Sequence, residues 1–283
     1  MRTRLALTAF ALTLAACSNP VGPGDSRAAL EAARQRWEGS GIVHYRMTVQ
    51  RLCECLPSVT RPVVVVVRGG EVAGVSDAET AELLLPEDAA AFPSVDGLFD
   101  LLAGFLDQGI EIQVVYDPTW GHPVQVFVDL DAMSVDDEVI FEISALEPDP
   151  DGESLAELNE AARAWSDAGF VDYDLDLRRT CDCETGRTGT VLVRVRGGAV
   201  VSRRFTPIGG PVPEEHAHVY PTVSGLFDTV LDALNRGADA LEVDYDPNFG
   251  IPERVSIDYR AALDGDEVEY EVVKLLRVEV EVE

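Results

Sequence analysis

The sequence has almost no lysine and little positive charge of any kind. Its 283 residues include 22 Lys and Arg against 51 Asp and Glu, for a net charge of -29, and Lys274 is the one lysine. Nucleic acid and anionic lipid headgroups are therefore poor partners, because binding to either depends on a basic surface. The acidic residues are spread over both halves of the chain, which is typical of a solvated surface.

Motifs of common catalytic sites are also missing. The chain contains no Gly-x-Ser-x-Gly, no His-Glu-x-x-His, no phosphate-binding glycine loop and no dinucleotide fingerprint. These absences weigh against an enzyme without excluding one, and no motif implies an organic cofactor. The sequence therefore indicates where the protein is located and how it is built, but it does not indicate a reaction.

Hydrophobic runs long enough to cross a bilayer are missing beyond the N-terminus. Residues 1–16 combine Arg2 and Arg4 with an apolar run and small residues, which is the layout of a secretory signal peptide. The segment Leu14-Ala15-Ala16-Cys17 resembles the lipobox of bacterial lipoproteins, in which the signal is removed before the cysteine. The alternative is a plain secretory signal with an unmodified Cys17.

The lipobox resemblance implies that Cys17 becomes the new N-terminus and carries fatty acyl chains such as palmitate. Ser18 then resembles the sorting residue of outer-membrane lipoproteins, so we expect a lipid-anchored protein of the bacterial cell envelope, in the outer membrane if the organism has one. Residues 17–25 would form the lipidated cysteine and a flexible tether. The seven residues after Cys17 span at most about 25 Å, so the folded part lies close to its membrane.

The rest of the chain is a duplication. Trp165 lies 128 positions after Trp37, and pairs beyond an insertion near Gly237 lie 129 positions apart. The clearest repeated stretch is an Asp-Pro corner followed by a glycine and a second proline, which predicts a structural turn between two strands. Its residues are Tyr116, Asp117, Pro118, Gly121 and Pro123 in the first copy, and Tyr245, Asp246, Pro247, Gly250 and Pro252 in the second. We place repeat 1 at residues 26–147, a linker at 148–153 and repeat 2 at 154–283.

Each repeat has the predicted order α-β-β-β-α-β-β-β. Short turns between adjacent strands imply antiparallel sheets with amphipathic helices packed on one face, an α+β fold with two pseudo-symmetric units. We expect the first helix to follow Asp25 or Ser26, and Ser154 to cap its counterpart in repeat 2. The apolar Val64 and Val66 on the outward face of one strand suggest that the other repeat covers it. The C-terminal residues 277–283 alternate in charge, which suits an edge strand.

These elements together resemble an exported bacterial family called domain of unknown function 6174. The matching features are a helix ending in Trp, a strand bearing Tyr, Cys-x-Cys, a Gly-Gly hairpin, Gly-Leu-Phe-Asp, Tyr-Asp-Pro-x-x-Gly-x-Pro and an acidic turn before the last strand. The resemblance covers nearly all of the mature chain, twice. It implies export and family identity, but no reaction.

Four cysteines remain after Cys17, as Cys53-Glu54-Cys55 and Cys181-Asp182-Cys183. In an oxidising compartment they should pair, and of the three connectivities we favour the local one because each repeat can form it alone. The alternatives are thiol-disulfide chemistry, metal ligation or pairing between repeats. Redox chemistry is weakened by the lack of Cys-x-x-Cys and of a basic neighbour shared by both copies.

Two groups of residues are candidates for binding a metal ion. His216 and His218 alternate beside carboxylates, which suits zinc, nickel or copper. The acidic turns Asp136-Asp137-Glu138 and Asp266-Glu267 could hold calcium together with Asp129 or Asp258 across the hairpin. Solvated loops and turn chemistry are the simpler interpretation of both.

The function we expect is binding or scaffolding in the cell envelope, through an unknown envelope partner. An envelope thiol-disulfide protein and a metal-binding protein are the alternatives. A group of seven arginines in repeat 2 would pair with acidic groups of repeat 1 or meet an anionic partner, with internal pairing as the default; they are Arg178, Arg179, Arg187, Arg194, Arg196, Arg203 and Arg204.

Overall fold

The computed structural model describes residues 23–130, 137–148, 150–207 and 209–278. Within these ranges, the first repeat contains three helices and six strands. In chain order they are α1 (Pro23–Ser40), β1 (Tyr45–Leu52), β2 (Val63–Arg68), β3 (Glu71–Asp77), α2 (Pro86–Ala89), α3 (Val95–Asp107), β4 (Glu111–Tyr116), β5 (Pro123–Asp129) and β6 (Glu138–Pro148).

The second repeat follows the same order without a counterpart of α2. Its elements are α4 (Gly152–Ala168), β7 (Tyr173–Cys181), β8 (Gly189–Arg196), β9 (Ala199–Phe205), α5 (Val223–Arg236), β10 (Ala240–Tyr245), β11 (Pro252–Asp258) and β12 (Val268–Arg277). A 3₁₀ turn at Glu214–Val219 occupies the position of α2.

Each repeat forms one six-stranded sheet, and the two sheets have the same topology. The strand orders are β3-β2-β1-β6-β5-β4 and β9-β8-β7-β12-β11-β10, and all the neighbouring strands are antiparallel. The first and last strands of each repeat therefore meet at the centre of its sheet. The predicted α+β architecture with two matching units is confirmed.

Alternation along the central strands produces one core for each repeat. On β1, Tyr45, Met47 and Val49 are buried while the residues between them are partly exposed, as a strand covered on one face requires. The Tyr45 hydroxyl accepts the Val95 N–H at 2.7 Å, which satisfies a free donor at the start of α3. The Trp37 indole packs edge-on against Tyr45 with ring centroids 5.3 Å apart. The helix ending in Trp and the strand bearing Tyr are thus core features.

Three boundaries differ from those predicted. The described part of helix α1 starts at Pro23, so the helix includes residues of the proposed tether. Helix α4 begins at Gly152, inside the proposed linker, and its N-cap is Asp151 instead of Ser154. Arg277 ends β12, a central strand paired with β7, so this part of the C-terminus is not at an edge. Residues 279–283 lie outside the described residues.

The C-terminal end of α5 packs on the outer face of the first repeat's sheet. A Cβ placed on Gly237 would lie 3.0 Å from Val64 Cγ1 and 3.4 Å from Val66 Cγ2, and Val66 is only 2% exposed. A Cβ on Gly74 of β3 would lie 2.2 Å from the Asn235 carbonyl oxygen. The prediction that the second repeat covers the apolar outer face of β2 is confirmed.

Arginine hydrogen bonds join the two repeats across this contact. The buried Arg260 donates to the carbonyl oxygens of Ala78 at 2.9 Å and Asp77 at 3.0 Å in repeat 1, and to that of Gly237 at 2.9 Å in repeat 2. Arg236 donates to the Ala81 carbonyl oxygen at 2.7 Å. The contact therefore combines buried arginine hydrogen bonds with close packing at Gly74 and Gly237.

The second sheet does not repeat this arrangement. Arg194 of repeat 2 matches Val66, so a charged residue replaces an apolar one on the outer face. Ser202 matches Gly74, so a side chain occupies the position that lacks a Cβ in repeat 1. The interface is thus asymmetric: a helix of repeat 2 packs on the sheet of repeat 1 through two different surfaces.

Candidate functional site

The repeated Asp-Pro turn is built by its aspartate. Asp117 Oδ1 accepts the N–H groups of Thr119 at 2.8 Å and Trp120 at 2.7 Å, and this bonding holds the pKa of Asp117 below its usual range. In the second copy, Asp246 Oδ2 accepts from the two matching residues at 3.0 and 2.6 Å. Both carboxylates therefore accept backbone hydrogen bonds that stabilise the turn.

The glycine of each turn sits directly on the first helix of its repeat. Gly121 has φ +83°, and a Cβ there would lie 2.4 Å from the Ala33 carbonyl oxygen in α1. Gly250 has φ +67°, and its Cβ would lie 2.2 Å from the Ala161 carbonyl oxygen in α4. The turn therefore docks the β4–β5 and β10–β11 hairpins onto the helices, which is an architectural role.

Each Cys-x-Cys forms a local bridge at the end of the first strand of its repeat. The Cα atoms are 5.1 Å apart for Cys53 and Cys55 and 5.3 Å apart for Cys181 and Cys183, within the range that a disulfide spans. Within each repeat the two cysteines are thus close enough for the predicted local disulfide. The two surroundings, however, are different.

In repeat 2 a buried arginine contacts both sulfurs. Arg179 is 7% exposed, and its Nη1 lies 2.6 Å from Cys181 Sγ and 3.3 Å from Cys183 Sγ. Its Nε donates to the Tyr270 hydroxyl at 3.2 Å, and Nη1 also donates to the Arg187 carbonyl oxygen. The guanidinium is thereby fixed at the bridge.

The expectation that the two copies share no basic neighbour at the cysteines is wrong. Arg51 precedes Cys53 as Arg179 precedes Cys181, 128 positions apart, so the repeat offset alone reveals the pair. Arg51 lies 5.8 Å from the Phe141 ring centroid, and its Nε is buried without a hydrogen-bond partner among the described residues. Burial lowers the pKa of Arg51.

His216 and His218 lie in the 3₁₀ turn at Glu214–Val219, where residues two apart point in different directions. His216 is partly buried and packs near Gly186, whereas His218 is exposed. Among the residues that the structure describes, no group of three or more His, Cys, Asp or Glu side chains is arranged to hold a metal ion.

The acidic turn of repeat 2 brings the carboxylates of Asp258 and Asp266 close together. Asp266 has its pKa raised by burial and by the charge of Asp258, against a smaller opposing effect of the Arg260 backbone N–H, and one oxygen of Asp258 is buried without a hydrogen-bond partner in the described residues. Glu267 accepts the Gly265 N–H at 3.0 Å. In repeat 1, Asp136 lies outside the described residues, Asp137 has one buried oxygen without a described partner, and Glu138 begins β6.

The arginines of repeat 2 pair mainly within their own sheet. Arg196 reaches Asp174 at 2.7 Å, Arg194 reaches the same carboxylate at 3.6 Å, and Arg178 pairs with Glu271. Arg203 donates to the Tyr220 carbonyl oxygen at 2.8 Å. Internal pairing is therefore found for these four arginines, and their partners among the described residues belong to repeat 2.

A cleft of about 440 Å³ lies between the two repeats. Its walls come from β1, β2 and β6 of repeat 1, from the segment after β3, and from the ends of α5 and β11 in repeat 2. The lining residues are Arg46, Thr48, Val64, Ala78, Glu79, Ala145, Glu147, Gly237, Asp239, Arg260, Ala262 and Leu263. The sequence does not reveal this cleft, because it exists only once the repeats are docked.

Two features of the cleft stand out. Arg46 bonds to Glu147 at 2.7 Å, so a cation and an anion lie side by side on one wall. Ala145 has φ +50°, at an irregularity in the pairing of β1 with β6. A residue with a side chain in this conformation is strained, and such strain clusters at functional sites.

The proposed lipidation site Cys17 lies outside the described residues. Among the helices that the structure describes, none combines the length and apolar character needed to span a bilayer.

Comparison with known proteins places the chain in a family. A family model described as Family of unknown function (DUF6174) matches residues 29–148 and again residues 157–277. No curated protein and no solved structure matches the chain significantly. The two matches coincide with the two structural repeats and together cover most of the sequence. The chain therefore belongs to the family of unknown function DUF6174, as a tandem of two copies.

Proposed function

We propose that this protein is a lipid-anchored binding protein of the bacterial cell envelope, with its binding site in the cleft between the repeats. The observation that carries the proposal is the cleft itself, since about 440 Å³ is within the size range of small-ligand sites. Sites of this kind are found preferentially where two domains meet.

The charges of the cleft define the chemistry of its ligand. Arg46 and Glu147 offer opposite charges on one wall, Asp239 adds an anion, and Thr48 adds a hydroxyl. Arg260 has its donors engaged by backbone and Ser76 oxygens, so it positions the walls and does not bind. We infer a short polar segment of an envelope protein, carrying both charge signs, as the ligand.

Rigidity favours such a role. The cleft walls belong to two repeats joined by a close-packed contact and by Arg236 and Arg260, so the site is preformed. Preformed sites lose less conformational entropy on binding, which increases affinity.

Site-specific crosslinking tests the binding site. A photoreactive residue at position 48 lies in the cleft, whereas the matching position 176 on the outer face of β7 does not. In cells producing the lipidated full chain, we expect a discrete protein adduct from position 48 and none from position 176. Reversing the wall charge with Glu147→Arg should abolish that adduct. Equal adducts at both positions, or none at either, would contradict the proposal.

The anchor is tested separately. Replacing Cys17 by Ala removes the only thiol of the lipobox, so the protein should lose incorporation of labelled palmitate and should no longer sediment with membranes. Replacing Ser18 by Ala should leave both unchanged. Membrane association that persists in Cys17→Ala would reject the lipid anchor without bearing on the cleft.

A further inference from the structure

The buried guanidinium of Arg179 lies directly against the Cys181–Cys183 disulfide. Arg179 Nη1 lies 2.6 Å from Cys181 Sγ and 3.3 Å from Cys183 Sγ, in a pocket closed by Tyr270 and the Arg187 carbonyl. A neutral disulfide accepts hydrogen bonds only weakly. The Tyr270 hydroxyl and the Arg187 carbonyl oxygen satisfy part of the buried guanidinium, but neither carries a negative charge to balance its own.

The same geometry suits the reduced state. A thiolate beside an arginine is stabilised by charge and by a charge-assisted hydrogen bond. Cys181 is the sulfur nearer the cation, and it also packs against the core of repeat 2. Cys183 is partly buried as Cys181 is, and its sulfur lies further from the guanidinium. The two sulfurs therefore differ in electrostatic support, and a thiolate is better stabilised on Cys181 than on Cys183.

We propose that Cys181 and Cys183 form a thiol-disulfide exchange site for a protein dithiol, with Cys183 attacked and Cys181 leaving. The partner's thiolate attacks Cys183 Sγ, the Cys181–Cys183 bond breaks, and its electron pair remains on Cys181 as a thiolate beside Arg179. The partner's second thiolate then attacks its own bridged sulfur and releases Cys183. The partner dithiol is oxidised to a disulfide by two electrons, and the Cys181–Cys183 pair gains those electrons. The two partner protons go to Cys183 and to solvent.

Repeat 1 is an internal control for this proposal. Phe141 and Phe92 of repeat 1 occupy the positions of Tyr270 and Tyr220. Repeat 1 therefore lacks both tyrosine hydroxyls. In the described residues Arg51 makes no hydrogen bond to Cys53 or Cys55, and its Nε has no partner. The Cys53–Cys55 bridge should therefore act as a structural clamp while the Cys181–Cys183 bridge exchanges.

Thiol reactivity after reduction tests the role of Arg179. The mature full chain is reduced with dithiothreitol and alkylated with iodoacetamide from pH 5.5 to 9, and each cysteine is followed by peptide mass spectrometry. An ordinary thiol is only about 1% thiolate at pH 6.5. We therefore expect Cys181 to react about tenfold faster than Cys53 or Cys55 at that pH. Arg179→Met should remove the difference, and Arg51→Met should leave it unchanged.

A second variant protects the test from misfolding. Tyr270→Phe copies the residue of repeat 1 and removes only the hydroxyl that orients Arg179, so circular dichroism should be unchanged while the alkylation of Cys181 at pH 6.5 slows. If Cys181 follows the same pH profile as Cys53 in the unaltered protein, or if neither variant changes it, the proposal is wrong.

The direction of attack has its own readout. Exposure of the oxidised full chain to excess reduced glutathione at pH 7 should place the mixed disulfide on Cys183, with Cys181 free. Glutathione found on Cys181, or on repeat 1 before repeat 2, would overturn the assignment. Glu147→Arg in the cleft should not affect either experiment, so failure here is distinguishable from failure of the binding site.

Discussion

At the scale of single residues, the glycines of the repeated turn are required for two reasons at once. Gly121 adopts a positive φ, and its α-hydrogen side faces the backbone of α1. The first requirement favours glycine over any residue with a Cβ. The second excludes even a methyl group, because a backbone carbonyl cannot move aside as a flexible side chain can.

Gly121→Ala should therefore destabilise the protein by about 2–4 kcal/mol. Gly104 in α3 is the matched control, since a Cβ there meets no atom within 4 Å. Gly104→Ala should stabilise by up to about 1 kcal/mol, because alanine favours the helix. Urea denaturation of the three proteins measures both effects. A neutral Gly121→Ala would show that the turn is not tightly docked.

His122 should make the stability of repeat 1 sensitive to mild acid. Burial lowers its pKa, against an opposing effect of Asp117, and its neighbours are the rings of Trp37 and Trp120. The folded state thus binds the proton less readily than the unfolded chain does. Stability is fully present above the unfolded pKa of about 6.5 and is lost as the pH falls below it.

The second repeat has Ile251 at the matching position, so His122→Ile is the test substitution. We expect the urea midpoint of the unaltered protein to fall between pH 7.5 and 5.5, and to fall less in His122→Ile. His218→Gln, at an exposed position, should behave as the unaltered protein does. An unchanged pH dependence in His122→Ile would mean that another group is responsible.

At the scale of elements, the end of α5 is the key contact. It is held by close approach at Gly74, by Ser76 donating to the Arg236 carbonyl oxygen at 2.7 Å, and by Arg68 donating to the Leu234 carbonyl oxygen at 3.2 Å. These three contacts involve carbonyl groups of the last turn of α5; that of Leu234 also accepts the Gly237 N–H at 3.2 Å. The outer face of β2 and β3 thus serves as the cap of a helix from the other repeat.

Gly74→Val should push α5 away from β3 and cost about 1–3 kcal/mol. The matching change in repeat 2, Ser202→Val, places the same side chain on β9, where no helix docks, and should be nearly neutral. Hydrogen exchange should show faster exchange at the end of α5 in Gly74→Val alone. If both variants lose equal stability, strand propensity and not the interface would be the cause.

At the scale of the whole molecule, Arg260 couples the two repeats. Its guanidinium reaches Ser76, Asp77 and Ala78 in one repeat and Gly237 and Tyr259 in the other. Removing the guanidinium leaves several buried carbonyl oxygens without donors, which is costly.

We expect the unaltered protein to unfold in urea in a single transition and Arg260→Met to unfold in two. Loss of coupling should lower the first midpoint by the equivalent of about 3 kcal/mol or more. The control is Arg254→Met, which removes an exposed ion pair with Glu269 and should change stability by less than about 1 kcal/mol. Two transitions in the unaltered protein would show that the repeats fold independently.

The sequence by itself determined the elements and their duplication. Hydrophobic periodicity predicts β1 and α3, because each buries one face. The Gly-Gly and Asp-Pro sequences predict reversals of the chain, because the backbone conformations of such turns favour these residues. The repeat offset of 128 also matches Arg51 with Arg179. The start of α4 differs from the prediction, because Ser154 and Glu157 have the spacing of a capping box inside a helix that already begins at Gly152.

Only the tertiary structure decided how the repeats dock and what surrounds each bridge. Arg46, Asp239 and Arg260 line the same cleft although Arg46 is remote from the other two in sequence. No local sequence pattern predicts that these residues are close in space. Likewise Tyr270 and Arg179 meet only because β12 pairs with β7 at the centre of the sheet. Local pattern specifies which face of an element is buried, whereas the identity of its neighbours depends on contacts between distant residues.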